Sequence, residues 1–431
     1  SGNAALAATL REWGIEQTYG VTGGGIWHLL NFFDPERPNE AAPQFITINE
    51  YIAGFCPIGH YLCNHSLAAA VVTTGAPVKF LNAGMSAARF MGIPALYIIS
   101  LNNTQDQYRY PMQDVSSNGT NIIQSLKSEF SHHVFPIETI DQLPEQLSKI
   151  AVNLENKKPA ILLLRPDALT RPISMSSIAL STQALPTQNT MINKLTQQLS
   201  QHLQQSDRII IYVCSEAGYQ DELSSQIIEL SEILQSPVVC STNGLNALKH
   251  DWPLHYGTIG LGGSAQAQTL WDSMNGTDVL LCIGLDCGEY EVQCRPINAK
   301  KTWILSSATN DYVFQDDRYQ AHFTHKAKLI AGNINVHLRL LIEQLKNVNS
   351  EIAAQLPQKK TDRNPPYKAE PLKSNCVCPY QLLTALSPLW PKNSIAFDDT
   401  CTFYRDRPHI MEIAHPNVKW FNESHGSSMG S

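Results

Sequence analysis

The chain has 431 residues, of which 43% are hydrophobic and 16% charged, with a net charge of −7; this composition is that of a globular protein long enough for two or three domains. The net negative charge argues against nucleic acid or an anionic membrane surface as a partner. No segment approaches the roughly 20 apolar residues of a membrane span, and the N-terminus lacks the pattern of a signal peptide, so we expect a cytoplasmic protein that acts on small molecules.

Short apolar strands alternate with helical segments over residues 1–175, and this alternation predicts a doubly wound, mostly parallel α/β sheet. The predicted strands are EQTYGV, FITI, AAAVVTTG, ALYIIS, HHVFPI and AILLLRP. A glycine loop, Gly20 to Gly25, follows the first of them, where missing side chains let backbone amides approach a ligand. A nicotinamide-binding fold is an alternative interpretation of this loop, although its glycines are contiguous and not spaced as GxGxxG.

A second α/β unit is predicted over residues 188–350, with strands RIIIYVC, SPVVCST, TDVLLCIG and KTWILSS. Residues 351–377 are polar and rich in proline, which predicts a linker, and a third unit begins at residue 378. The ten cysteines have no CxxC spacing and are expected to be free thiols. The 14 histidines have no HxxxH spacing, so local sequence predicts no transition-metal site.

Glu50 is a carboxylate between an apolar stretch, PQFITIN, and a run of small residues that predicts the start of a helix. Burying a carboxylate is costly unless it has a partner or a function. Gly59 follows in the predicted helix, and Thr74 and Gly75 end the strand AAAVV. This spacing resembles the pyrimidine-binding domain of thiamine-diphosphate (ThDP) enzymes of the acetolactate synthase and pyruvate decarboxylase type. The alternative is a surface carboxylate stabilised by the helix dipole.

The resemblance implies a ThDP-binding fold: a pyrimidine-binding domain over 1–175, a central Rossmann-like domain over 188–350 and the start of a diphosphate-binding domain over 378–431. It implies carboligation or lysis of a 2-keto acid or related carbonyl substrate, in a homodimer or homotetramer whose sites lie between subunits. Glu50 would hydrogen-bond N1′ of the aminopyrimidine. Gly24 and Gly25 would border the substrate and the thiazolium.

Further site residues are implied by the same resemblance. Gln113 would line the substrate entrance, with a solvated loop glutamine as the alternative. Thr74 and Gly75 would contact the cofactor. The remaining candidates are Asp399, at the end of the first strand of the diphosphate-binding domain, and Ser427, Ser428 and Met429, of which Met429 would wedge under the cofactor or serve only in packing.

The cofactors implied are ThDP and Mg²⁺, but no metal ligand is identified among these residues. In the family a Gly-Asp-Gly turn and an asparagine hold the metal, and we expect them beyond residue 431. We therefore expect the 431 residues to be a truncated chain that binds ThDP poorly and turns over negligibly. A non-catalytic or regulatory ThDP-enzyme paralogue and a nicotinamide-dependent oxidoreductase are the alternatives.

Overall fold

The computed structural model describes residues 1–33, 43–106, 109–174, 176–180, 187–205, 207–220, 223–248, 252–260, 262–293, 295–348, 376–398, 406–412, 414–415 and 417–422. The chain divides into two compact units. The first comprises Ser1–Gln183 and Thr309–Tyr312, and the second Ala184–Ala308 and Val313–Met429. The domain boundaries proposed from the sequence stay predictions.

The first unit contains a six-stranded parallel sheet in the order β2-β1-β3-β4-β6-β5. The strands are β1 (Gln17–Val21), β2 (Gln44–Thr47), β3 (Ala69–Val72), β4 (Leu96–Ser100), β5 (Val134–Ile137) and β6 (Ala160–Leu164). The helices are α1 (Gly2–Glu12), α2 (Trp27–Leu30), α3 (Glu50–Asn64), α4 (Ala76–Met91), α5 (Ile122–Phe130), α6 (Leu143–Glu155) and α7 (Pro166–Leu169). Strands β3, β4 and β6 are buried along their whole length, which explains why they read as continuous apolar runs without alternation.

Helices α3 and α4 pack closely in this unit because glycines meet at their contact. A Cβ on Gly84 would lie 2.1 Å from the carbonyl oxygen of Gly54, so only glycine permits this approach. The hydroxyl of Tyr97, on β4, lies 3.0 Å from the carbonyl oxygens of both Gly54 and Gly84. Burial raises the pKa of Tyr97 far above its ordinary value, so the hydroxyl remains a donor to these carbonyls.

The second unit contains another six-stranded parallel sheet, in the order β12-β11-β10-β7-β8-β9. Its strands are β7 (Ile209–Val213), β8 (Val238–Cys240), β9 (His255–Thr258), β10 (Val279–Ile283), β11 (Lys301–Ser306) and β12 (Lys328–Ala331). Its helices are α8 (Asn189–Gln204), α9 (Ser215–Gly218), α10 (Ser224–Leu234), α11 (Ala265–Asp272), α12 (Glu289–Val292), α13 (Asp311–Phe314, which begins in the segment assigned to the first unit) and α14 (Ile334–Val348). The predicted α/β class with doubly wound parallel sheets is confirmed.

The last described part of the second unit is a two-stranded parallel sheet of β13 (Ile395–Asp398) and β14 (Lys419–Asn422), preceded by α15 (Pro379–Leu386). Its apolar core is small, and its buried members are Leu383, Ala396, Met411, Val418 and Trp420. Among the described residues of the whole chain, no helix is both long and apolar enough to cross a bilayer.

Candidate functional site in the first unit

The strand order of the first sheet creates a crevice between β1 and β3. The chain passes from β1 to β2 on one side and then returns to β3 on the other side of β1. In doubly wound sheets, ligands bind at such a switch point, outside the carboxyl ends of the strands. The predicted glycine loop follows β1 and the Thr73-Thr74-Gly75 turn follows β3, so both lie at this point.

Gly25 occupies a position at the ends of β3 and β4 that excludes any side chain. Its backbone N–H donates to Thr73 Oγ1 at 3.4 Å, and a Cβ would lie 2.1 Å from Ser100 Oγ and 2.7 Å from Ser100 Cβ. Gly24 differs, because a Cβ there would meet no described atom within 4 Å. The loop is therefore anchored at Gly25 and presents open space at Gly24.

Gly75 and Gln113 lie against each other at the start of α4. Gly75 has φ of 84°, which a residue with a side chain rarely adopts, and a Cβ there would lie 2.7 Å from the Cβ of Gln113. The loop of Gln113 is held by Asn102, whose Nδ2 donates to the Gln113 carbonyl at 3.0 Å and whose Oδ1 accepts from Val115 N at 2.9 Å. The structure thus brings together two residues 38 positions apart in the sequence.

Asn102 and Arg165 were missed by the sequence analysis. Arg165 follows β6, and its Nη1 donates to the Asn102 carbonyl at 2.9 Å. Its Nη2 forms a 3.2 Å ion pair with Glu138. Both residues lie within two positions of the carboxyl end of a buried strand. A polar side chain at that position of a parallel sheet was the signal that could have identified them.

Thr74 provides the test of whether this crevice fits a ligand. Its side chain is only 8% exposed, and Oγ1 makes no hydrogen bond within the described part of the chain. A buried hydroxyl without a partner costs free energy, roughly 1 to 3 kcal/mol, so such atoms are rare. An orphaned buried hydroxyl in the turn that follows β3 fits a polar ligand at this edge of the sheet.

Glu50 is the first residue of α3, where the helix dipole favours a carboxylate. Asn49 caps the helix by accepting from Ile52 N at 2.9 Å, and Ile48 N donates to the Gly20 carbonyl at 2.9 Å. This last hydrogen bond ties the entry to α3 to the end of β1. The Glu50 side chain is half-buried, less enclosed in the single chain than the sequence analysis expected, and its catalytic role stays a prediction.

The remaining predicted cofactor residues, Asp399, Ser427, Ser428 and Met429, lie outside the described residues. Their roles stay predictions.

The corresponding switch point of the second sheet, between β7 and β10, is occupied by a buried acid. Glu291 accepts from Ser215 N at 2.5 Å and from Ser241 Oγ at 2.9 Å through one oxygen, and from Asp286 N at 2.8 Å through the other. Burial, with the neighbouring Asp286 carboxylate, raises the pKa of Glu291 well above its ordinary value. This acid therefore lies where a phosphate would bind in a dinucleotide fold.

Comparison with known proteins identifies the family. Residues 1–122 match the family model "Thiamine pyrophosphate enzyme, N-terminal TPP binding domain", and residues 196–331 match "Thiamine pyrophosphate enzyme, central domain". The two ranges are successive domains of one enzyme family and together cover more than half of the chain. The chain belongs to the thiamine pyrophosphate enzyme family.

A curated relative agrees with this assignment. The thiamine pyrophosphate enzyme described here is 20% identical over 291 residues to the acetolactate synthase isozyme 2 large subunit of Escherichia coli (strain K12). The aligned part covers 66% of the chain and 49% of the relative, so the chain spans about half the length of that protein. The resemblance to enzymes of the acetolactate synthase type is thereby confirmed. The N-terminal match includes Glu50, Thr74, Gly75 and Gln113.

Proposed function

We propose that this protein is a ThDP-dependent carboligase or lyase that acts on a 2-keto acid or a related carbonyl substrate, as the name of its acetolactate synthase relative suggests. The observation that carries the proposal is the crevice between β1 and β3. There the turn that holds the orphaned hydroxyl of Thr74 continues into Gly75, which lies against Gln113, and the glycine loop presents open space at Gly24.

ThDP, when bound, supplies a nucleophilic carbon that adds to a carbonyl and accepts its electrons. In the proposed function, Glu50 holds a proton at N1′ of the aminopyrimidine. The Thr74 hydroxyl and the Gly75 backbone contact the cofactor, and Gly24 and Gly25 leave room beside it. Gln113 orients the carbonyl at the entrance. A hard cation such as Mg²⁺, which prefers oxygen ligands, would bind the diphosphate through residues other than these.

We further propose that a second copy of the chain closes the site in a homodimer or homotetramer. Glu50 is only half-buried in the single chain, and α3 and α4 expose Ile52 (44%) and Phe80 (52%). Apolar side chains exposed near a half-buried carboxylate support a subunit contact there. Covering Glu50 would remove water from around the proton that it holds.

The test compares Glu50→Gln with Glu145→Gln in the full-length natural protein, supplied with ThDP, Mg²⁺ and pyruvate. Both glutamates lie in the first turn of a helix, but Glu145 is an exposed residue of α6. We expect Glu50→Gln to lower the rate of pyruvate consumption by roughly 10²–10⁴-fold, the scale of general acid-base assistance, and Glu145→Gln to leave it unchanged.

Equal rates in both variants would overturn the role of Glu50. The protein is also tested with a panel of keto acids that includes aromatic ones. If it binds ThDP but consumes none of them, the non-catalytic alternative is favoured. Saturable quenching of NADH fluorescence would instead favour the oxidoreductase.

A further inference from the structure

Two adjacent histidine side chains meet the carboxylate of a distant segment of the first unit, outside the proposed thiamine site. His132 and His133 lie in a 3-10 turn after α5, and Asp311 belongs to the segment Thr309–Tyr312. The Nε2 atoms of His132 and His133 lie 2.7 and 3.2 Å from Asp311 Oδ2. All three candidate ligand atoms lie within 4.8 Å of one another.

His133 is oriented as metal-binding histidines are. It is fully buried, and its Nδ1 lies 3.1 Å from the carbonyl oxygen of Pro159. The Asn153 amide Nδ2 lies 3.1 Å from the same Nδ1 and donates to the Pro159 carbonyl at 3.3 Å. In the tautomer with its hydrogen on Nδ1, directed at Pro159, the Nε2 lone pair faces Asp311, and this is the tautomer that can bind a metal ion. A backbone acceptor on one ring nitrogen and a free lone pair on the other is the usual support of a metal ligand.

We propose that His132, His133 and Asp311 bind one Zn²⁺ ion, with water as the fourth ligand. Bonds of about 2.0–2.2 Å in a tetrahedron place neighbouring ligand atoms roughly 3.3 Å apart. The observed separations of 2.7 and 3.2 Å from Asp311 are close to this value. The His132 side chain is 49% exposed, which gives water access to the ion. The sequence could not reveal this site, because Asp311 is 178 positions beyond His133.

Lys158 is the competitor for this site. Its Nζ lies 3.5 Å from the same Oδ2 of Asp311, and its side chain is 24% exposed. The ammonium group supplies positive charge to the carboxylate when zinc is not bound, and it must turn towards solvent when zinc binds. Lys158→Met removes this charge and keeps an apolar side chain of similar length, and it is therefore expected to tighten zinc binding.

The ion would fasten Thr309–Tyr312 to the turn after α5. The site is separate from the thiamine chemistry, because none of these three residues belongs to the crevice between β1 and β3. Zinc that binds only the folded chain raises its stability by mass action.

The experiment is isothermal titration of ZnCl₂ into the chelator-treated chain at neutral pH, with thermal unfolding as a second readout. We expect one Zn²⁺ per chain and a rise in Tm with zinc. His132→Ala and the nearly isosteric Asp311→Asn are each expected to weaken binding by at least about tenfold. Lys158→Met is expected to tighten it.

His28→Ala is the control, because His28 is an exposed histidine of α2 and its loss should change nothing. Substituting Co²⁺ for Zn²⁺ should give the visible absorption bands of a tetrahedral site, lost in Asp311→Asn. Absence of stoichiometric binding in the unsubstituted chain, or equal affinity in the His132, Asp311 and His28 variants, would overturn the proposal.

Discussion

Asn243 pairs with the backbone of Asn422 through both ends of its side-chain amide. Its Oδ1 accepts from Asn422 N at 2.9 Å, and its Nδ2 donates to the Asn422 carbonyl at 2.8 Å. Asn246 does the same for Trp420, with both distances 2.8 Å. Trp420 and Asn422 are two positions apart on β14, so their backbone groups point to the same edge of that strand. The two asparagines after β8 therefore make the hydrogen bonds that a neighbouring strand would make at this edge.

Replacing Asn243 by alanine should destabilise the second unit. The change removes two hydrogen bonds to buried backbone groups, and we expect a loss of about 1 to 3 kcal/mol in the free energy of unfolding. Urea unfolding followed by tryptophan fluorescence measures it, since Trp420 lies at the contact. Asn347→Ala, at an exposed position of α14, is the control. Equal unfolding midpoints in the two variants would contradict the prediction.

Gly25 and Gly24 offer a matched pair of alanine substitutions. Gly25→Ala places a methyl group 2.1 Å from Ser100 Oγ, and overpacking of this kind costs typically about 1 to 3 kcal/mol. Gly24→Ala faces open space, so stability should change by less than about 0.5 kcal/mol, although ThDP affinity should fall. Adding Ser100→Ala to Gly25→Ala should restore part of the lost stability. Thermal unfolding of the four proteins is the measurement, and a Gly24→Ala variant that is as unstable as Gly25→Ala would contradict the geometry.

Tyr97→Phe tests the contact between α3 and α4. The hydroxyl lies within hydrogen-bond distance of two buried carbonyls, and its removal should cost about 1 to 2 kcal/mol. Tyr380→Phe, on the exposed face of α15, should cost close to nothing. The free energies of unfolding of both variants, measured by chemical unfolding, test this prediction. A Tyr97→Phe variant as stable as the parent would show that water or a shifted backbone satisfies these carbonyls.

Glu291 should give the second unit a stability that decreases with increasing pH. Because its pKa is raised in the folded chain above an unfolded value of about 4.3, the folded state retains a proton that the unfolded state has lost. The contribution is therefore complete below pH of about 4.3 and is lost as the pH rises through the folded pKa, by up to about 1.4 kcal/mol per pH unit.

The matching variant is Glu291→Gln, whose amide imitates the protonated carboxyl and does not titrate. Unfolding measured upwards from about pH 4.3, the unfolded pKa, should show a steeper loss of stability in the parent than in this variant. Parallel curves would mean that Glu291 is ionised in the folded chain.

The sequence was sufficient for the α/β fold and for the family, because buried parallel strands are continuous apolar runs and the glycine turns occur at fixed spacing from Glu50. It also placed Gly75 and Gln113 in one site, which the structure brings into contact. It did not reveal Asn102 or Arg165, since their importance depends on hydrogen bonds between loops that follow different strands. The contact of Asp311 with His132 and His133 was equally hidden, because a chain segment after β11 supplies the carboxylate.

The amides of Asn243 and Asn246 also bear on the order in which the protein folds. The apolar core around the β13–β14 pair is small, and two-stranded sheets are marginally stable alone. The outer edge of β14 is completed only after the turn that follows β8 has formed. We therefore expect the amide hydrogens of the central strands β7 and β10 to become protected from exchange first during refolding. Those of Trp420 and Asn422 should become protected later.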